Sequence, residues 1–339
     1  MKNIIAAILL LLVANVLHAE RVEYYFKTGW RFSRTDDAAQ ALADYDDSRW
    51  QTVRVPHDWA IYGPFAKNND TQHVAIEQDG QKEATEHAGR TGGLPFVGVG
   101  WYRLHLEAPA FAAGKRATLI FDGAMSHARV FVNGKEAGGW AYGYNSFCLD
   151  VSGLLHAGQN VMAVRLENET ECSRWYPGAG LYRNVHLVVK EQKASIKTWG
   201  ANFTTREVDE DGTATVDYEI ELNHETENPQ VQIALDNAQF GNAQFDNAQC
   251  TMHNAQFDKG KLTGLLKVKD AKLWSPEEPW LYTAHITLLC DGEVVDTLSQ
   301  RVGIRTVEVR ADEGFFLNGK KVIFKGTCNH HDLGPLGAA

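Results

Sequence analysis

The chain has 339 residues, and its 43 acidic against 33 basic side chains give a formal net charge of −10 at pH 7. Proteins that bind nucleic acid neutralise phosphates with clustered Lys and Arg, and no such cluster is found, so nucleic acid is not expected as a partner. The five cysteines are scattered, without the close pairs of a zinc site. We expect neither a metal nor a cofactor.

The first 19 residues have the pattern of a secretory signal peptide. Lys2 precedes the apolar run Ile4–Val13, and Leu17–Ala19 offers a cleavage site before Glu20. An uncleaved anchor is the alternative, but the run is shorter than the ~20 apolar residues of a membrane-spanning helix. We therefore predict a secreted or periplasmic protein with no membrane span after signal removal.

Residues 20–192 alternate short apolar runs with turn signals, and they lack long helical periodicity. One example is the run Ala128–Val132, which is followed by Asn133-Gly134, a pair suited to a two-residue hairpin. The pattern predicts a β-sandwich of the jelly-roll kind. Within it, His57-Asp58-Trp59 is interpreted as structural, with Asp58 accepting backbone N–H groups and Trp59 packing between layers, rather than as a catalytic group.

Residues 193–309 contain a second set of strands, including Thr213–Leu222 and Val294–Val302, separated by Asp-Gly turns. This spacing predicts an immunoglobulin-like sandwich. Residues 236–258 repeat the tetrad Asn-Ala-Gln-Phe or a close variant four times. We interpret the repeats as an insertion in a surface loop, because loop closure costs little extra entropy as a loop lengthens. An Asn/Gln-rich interaction segment is the alternative.

Residues 310–339 begin with a hairpin-like segment, Phe315–Phe324, and continue through Lys325–Asp332. We expect the apolar run Val322–Phe324 to be the first strand of a further domain. The predicted fold class is therefore all-β, in two sandwiches that are followed by this strand.

Five stretches, taken together, resemble glycoside hydrolase family 2, and particularly its secreted β-galactosidases. Val55–Ile61 resembles the family's PHDW element, and Arg90–Arg103 resembles its Gly-rich loop before the GWYR strand. Ser173–Arg183 is similar to the segment that closes the sugar-binding domain. Leu273–Tyr282 is similar to the LWSPE strand of the middle domain, and Lys325–Ala339 to the opening of the catalytic barrel.

The resemblance implies a sugar-binding jelly roll, an immunoglobulin-like domain and a (β/α)₈ barrel that hydrolyses β-glycosides with retention. A barrel of this kind takes ~250 residues, so residues 310–339 are expected to be only the start of a truncated barrel. Retention uses two carboxyl groups, an acid/base and a nucleophile, and the family's two glutamates come from later barrel strands. We therefore expect the chain alone to be inactive, with a β-galactoside or related oligosaccharide as ligand. Full-length relatives can also form oligomers.

Candidate substrate-binding residues follow from the same resemblance. His330, His331 and Asp332 fall where a barrel strand presents side chains at its mouth. Strand alternation separates His331 from the other two, which disfavours a metal site. Arg90 lies in the Gly-rich loop, where a structural turn is the alternative. The last two candidates are Arg174 and Trp175. With Tyr176 they form an aromatic-cationic cluster, and burial in the sandwich core is the alternative role for it.

A stand-alone secreted carbohydrate-binding, lectin-like protein is the rival interpretation. A free-standing lectin has no evident use for the apolar run Val322–Phe324, which nothing in the two sandwiches is expected to cover.

The family's acidic sodium ligand is matched by Ser173, so a sodium site is not carried over from the resemblance.

Overall fold

The computed structural model describes residues 21–66, 69, 72–74, 85–87, 97–108, 115–170, 176–190, 194–224, 226–236, 250–329 and 338. Strands dominate these residues, and the helical segments among them are two short 3₁₀ turns, Ala38–Ala41 and Ala60–Tyr62. The prediction of an all-β chain is confirmed. Contacts divide it into two compact units, one formed by Val22–Val189 with Thr327–Ala339 and the other by Lys190–Gly326.

The first unit contains a β-sandwich, called the first sandwich below. Its strands are β1 Val22–Tyr25, β2 Trp30–Ser33, β3 Gln51–Val53, β4 Gln72–Val74, β5 Thr85–His87, β6 Gly98–Ala108, β7 Arg116–Phe121, β8 Ala128–Val132, β9 Lys135–Trp140, β10 Phe147–Asp150, β11 Gly158–Asn168 and β12 Val185–Lys190. The last residue of β12, Lys190, is the first residue of the second unit. They form a four-stranded sheet in the order β1-β12-β7-β10 and a six-stranded sheet in the order β3-β2-β6-β11-β8-β9, with β4 and β5 paired separately.

The core of the first sandwich lies between these two sheets. Strand alternation explains it: in β8, Val130 and Val132 are buried in the main core, while Arg129 and Phe131 point to the other face of the six-stranded sheet. The four-stranded sheet contributes alternating apolar residues such as Leu119 and Leu187 to the same core. The turn between β8 and β9 has φ of 52° at Asn133 and 79° at Gly134, as a two-residue hairpin requires.

The outer face of the six-stranded sheet carries a buried arginine. Arg103 on β6 is 0% exposed, and its Nε donates to Asp47 Oδ2 at 2.8 Å. Its Nη1 donates to the carbonyl oxygens of Gln40 at 2.5 Å and Leu42 at 2.9 Å. Burial raises the pKa of Asp47, but hydrogen bonds from Arg103 and His105 outweigh it, so the pKa lies below its ordinary value. These bonds tie the segment before β3 to the sheet.

The second unit contains a second sandwich and a small additional sheet. The strands are β13 Ile196–Val208, β14 Ala214–Leu222, β15 Pro229–Asp236, β16 Cys250–Asp258, β17 Lys261–Val268, β18 Tyr282–Cys290, β19 Glu293–Val302, β20 Val307–Arg310, β21 Gly314–Leu317 and β22 Lys320–Val322. The sheet β13-β14-β17-β16 and the sheet β15-β18-β19 enclose a core that includes Val216, Ile220, Leu266, Ile233 and Ile286. This seven-stranded arrangement agrees with the immunoglobulin-like prediction.

The interpretation of the repeats as a surface loop is wrong for the fourth tetrad. Asn254–Phe257 lies in β16, an edge strand that pairs antiparallel with β17. The register shifts between His253 and Gln256, which is how a strand absorbs extra residues as a β-bulge. Gln256 and Phe257 are exposed, so the edge strand leaves these two side chains of the tetrad on the surface. The first two tetrads and residues 247–249 of the third lie outside the described residues, and the third tetrad ends at Cys250, the first residue of β16.

The last described segment forms the hairpin predicted for it. β21 and β22 pair around Asn318 and Gly319, whose φ angles are 50° and 73°. The strand ends at Val322, earlier than expected, and the side chains of Ile323 and Phe324 are 75% and 73% exposed. Residues 323–329 are not in a strand, so the described residues contain no barrel strand.

Candidate functional site

All six candidate residues from the sequence lie outside the described residues. They are Arg90, Arg174, Trp175, His330, His331 and Asp332. Their predicted roles stay predictions. Tyr176, the described member of the aromatic cluster, is only 4% exposed and belongs to the main core, as the alternative interpretation held.

His57, Asp58 and Trp59 are buried at one end of the first sandwich. Trp59 is 0% exposed and stacks on Phe32, with ring centroids 5.5 Å apart. The backbone N–H of Ala60 donates to Asp58 Oδ1 at 3.1 Å. The structural interpretation of this tripeptide is confirmed.

Tyr176 also donates a hydrogen bond to the Asp58 carboxylate. Its hydroxyl lies 2.6 Å from Asp58 Oδ1 and 2.5 Å from Oδ2. Burial raises the pKa of Asp58 above its ordinary value, and the hydrogen bond from Tyr176 only partly opposes this. The separation of 118 positions between these partners explains why the sequence did not indicate the contact.

His57 is a neutral, buried imidazole. Its Nδ1 lies 2.6 Å from the hydroxyl of Tyr102, and desolvation, with a smaller contribution from Arg34, lowers its pKa to about 4. Burial also raises the pKa of Tyr102 well above its ordinary value. Among the described residues, Nε2 of His57 is buried without a hydrogen-bond partner. These residues therefore belong to the interior, and the surface beside them is the better candidate for ligand binding.

Hydrogen bonds join the loops at this end of the first sandwich. Met125 and Gly180 exchange two hydrogen bonds of 3.0 and 2.9 Å, and Tyr182 donates its hydroxyl to the Gly143 carbonyl at 2.9 Å. Gly180 has φ of +97°, and a Cβ there would lie 2.4 Å from the Tyr102 hydroxyl. These contacts fix the loop that follows β9, and two aromatic side chains, one at the end of β9 and one in this loop, are exposed.

Those side chains, Trp140 and Tyr142, line an open groove of about 620 Å³ on the first sandwich. Trp140 is 44% and Tyr142 57% exposed, although both are large apolar rings. The remaining lining residues are mostly polar or charged: His127, Ala128, Arg129, Gly139, Ala141, Arg165, Glu167 and Glu169. Exposed aromatic rings beside hydrogen-bonding groups are the combination that receives a ligand with one apolar face and many hydroxyls.

Carboxylates already neutralise both guanidinium groups of this groove. Arg165 donates two bonds to Asp36, at 3.0 and 2.9 Å, and one to Glu167 at 2.9 Å. Arg129 donates to Glu136 at 3.1 and 2.8 Å. These bonds lower the pKa of Asp36 and Glu136, so both stay ionised at neutral pH. The groove thus offers no unpaired arginine to an anionic ligand among the residues that the structure describes.

The groove was not predicted from the sequence. A signal was present, because Trp140, Tyr142 and Tyr144 alternate from the end of a hairpin strand onward and precede the polar pair Asn145-Ser146. What the sequence could not show is that the alternation places large rings on the surface. Within the described ranges, no group of three or more His, Cys, Asp or Glu side chains could hold a metal ion. Across those same ranges, no helix is long and apolar enough to span a membrane.

Comparison with protein families assigns both units. The description "Glycosyl hydrolases family 2, sugar binding domain" matches residues 26–191, and "Glycosyl hydrolases family 2" matches residues 194–305. The chain belongs to glycosyl hydrolase family 2. The family predicted from the five sequence stretches is therefore confirmed.

Among curated family 2 relatives, the chain is 35% identical to the β-galactosidase BoGH2A of Bacteroides ovatus, over 93% of this chain and 35% of that protein. It is 31% identical to a putative β-glucuronidase of Formosa agariphila, over 98% of this chain and 30% of the relative. The chain thus spans about a third of the length of these relatives. Their names include two different sugars.

Solved glycosidase structures share the fold. A member from Bacteroides cellulosilyticus superposes with a TM-score of 0.75 at 32% identity, covering 93% of this chain and 39% of that one. A β-glycosidase from Bacteroides vulgatus gives a TM-score of 0.74 at 29% identity, covering 94% and 38%.

Proposed function

We propose that this chain is the N-terminal part of a secreted or periplasmic retaining β-glycosidase whose preferred substrates are β-galactosides. In this proposal residues 20–192 are the sugar-binding domain, 193–309 the immunoglobulin-like domain and 310–339 the start of the catalytic barrel. The acid/base and nucleophile belong to later barrel strands, so the polypeptide of residues 1–339 binds sugar without hydrolysing it.

The groove at Trp140 and Tyr142 carries this proposal. A pyranose has a face of C–H groups, which an aromatic ring contacts well, and a rim of hydroxyls, which carboxylates and guanidinium groups bind. The groove supplies both kinds of group within one open depression on the domain that matches the family's sugar-binding description.

The charge of the groove favours a neutral sugar over a uronate. A glucuronide carries a carboxylate, which proteins recognise best with an unpaired arginine fork. Arg129 and Arg165 are both engaged by carboxylates, and Glu167 and Glu169 add negative charge to the lining. A galactoside carries no charge and avoids this repulsion.

Exposed apolar residues favour the glycosidase over the stand-alone lectin. Val309, Ile323 and Phe324 are each more than 70% exposed, and they lie on or beside the sheet β20-β21-β22. Apolar surface of this kind is typical of a face that packs against another folded part. A free-standing lectin would have no use for it.

Calorimetric titration of the 339-residue protein tests the proposal. We expect saturable binding of methyl β-galactoside and at least tenfold weaker binding of methyl β-glucuronide. Trp140→Ala should raise Kd for the galactoside about tenfold, because it removes the stacking ring. Tyr25→Ala removes an aromatic residue of similar exposure from the other sheet and should leave Kd unchanged. Equal or tighter binding of the glucuronide would contradict the choice of substrate.

A further inference from the structure

Asp58 makes one contact that its role in the core does not explain. Its Oδ2 accepts the backbone N–H of Ala338 at 2.9 Å, across 280 residues of sequence. The contacts of the chain also group the described residues 327–329 and 338 with the first sandwich rather than with Lys190–Gly326. The carboxylate therefore reaches a part of the chain that lies far from it in sequence.

The geometry around Asp58 suits an anchor and not a catalytic group. The residue is 1% exposed, and its oxygens are occupied by the N–H of Ala60, the hydroxyl of Tyr176 and the N–H of Ala338. A hydrogen bond from an N–H to a buried carboxylate is short and strong because one partner is charged. Such a carboxylate has no room for substrate, but it fixes each donor that it holds.

We propose that Asp58 is a positioning residue that anchors the chain at Ala338 to the first sandwich. In the sequence, Ala338 lies six residues after the stretch that contains His330, His331 and Asp332. The importance of that stretch for sugar contact rests on the proposed function, whereas the anchoring does not. The PHDW element would thus connect the sugar-binding domain to the opening of the barrel.

Hydrogen exchange measured by mass spectrometry on the 339-residue protein tests the anchor. In Asp58→Asn, the side-chain amide offers one oxygen in place of two, so the C-terminal peptide 329–339 should exchange at least about tenfold faster. Tyr176→Phe is the matched control, because it removes a donor to Asp58 and leaves Oδ2 free to accept from Ala338. Its C-terminal peptide should exchange at the wild-type rate within about twofold.

A second variant separates anchoring from stability. Ala338→Pro removes the donor N–H and leaves Asp58 and the sandwich core unchanged. We expect faster exchange in peptide 329–339 and unchanged exchange in the β6 peptide Gly98–Ala108. Unchanged exchange of the C-terminal peptide in both Asp58→Asn and Ala338→Pro would overturn the anchor.

The two proposals fail separately. If the galactoside titration shows no binding while Ala338→Pro still releases the C-terminal peptide, the anchor stands and the proposed sugar site falls. If binding is seen and the peptide does not respond, the anchor alone is rejected.

Discussion

Acid should destabilise the first sandwich through His57. In the unfolded chain this imidazole takes up a proton near its ordinary pKa of 6.5, whereas in the folded chain burial lowers the pKa to about 4. The unfolded state therefore binds more protons between these values, and stability is lost as the pH falls from 6.5 to 4. At about 1.4 kcal/mol for each pKa unit, the full loss is about 3 kcal/mol, of which about 2.5 kcal/mol is reached by about pH 4.5.

Urea denaturation at about pH 7 and about pH 4.5 measures this loss, with hydrogen exchange in β6 as a reporter of the first sandwich. His57→Asn is the control, because its amide can still hydrogen-bond Tyr102 but cannot take up a proton. The pKa of Asp58 is raised in the folded state, so protonation of Asp58 stabilises the fold as the pH falls. Both proteins contain Asp58, and its contribution therefore cancels in the comparison.

The wild-type protein should lose about 2.5 kcal/mol more than His57→Asn between the two pH values. The two proteins would lose the same stability only if His57 takes up its proton equally well in the folded and unfolded states. An equal loss in both proteins would therefore refute the assignment of His57 as a neutral, buried imidazole.

Two further predictions concern the packing of the first sandwich. Arg103→Met should lower the free energy of unfolding by about 3 kcal/mol, because it leaves the buried Asp47 without its main partner. Arg129 has a side chain that is 53% exposed, so Arg129→Met should lower it by less than about 1 kcal/mol. Thermal melting compares the two variants, and equal losses would contradict this difference. Gly180→Ala should destabilise by about 1–3 kcal/mol, because its Cβ would meet His57 O at 2.6 Å and φ is +97°. Gly153→Ala, with nothing within 4 Å, should change stability by less than about 0.5 kcal/mol in the same melts.

The sequence predicted the local features of this fold well. The strands, the Asn133-Gly134 turn and the structural role of Asp58 and Trp59 follow from alternation, turn chemistry and burial, which act over a few residues. The fourth repeat tetrad shows the limit of such reasoning. The low entropic cost of lengthening a loop favours a loop insertion, but an edge strand with a β-bulge also accommodates extra residues.

Long-range partners account for most of what the sequence did not predict. The contact of Arg103 with Asp47 spans 56 residues and that of Asp58 with Ala338 spans 280. No periodicity relates residues so far apart. The groove was missed for a related reason, since Trp140 is placed by the pairing of β9 with β8, and Tyr142 lies in the loop that Met125, Gly180 and Tyr182 hold.

One calorimetric titration of the 339-residue protein with an aryl β-galactoside tests the central claim most directly, because the instrument records both the heat of binding and any sustained heat of turnover. We predict a saturable binding heat that returns to the baseline after each injection. Sustained heat from hydrolysis, or the absence of any saturable heat, would contradict a sugar-binding chain whose catalytic glutamates belong to the barrel.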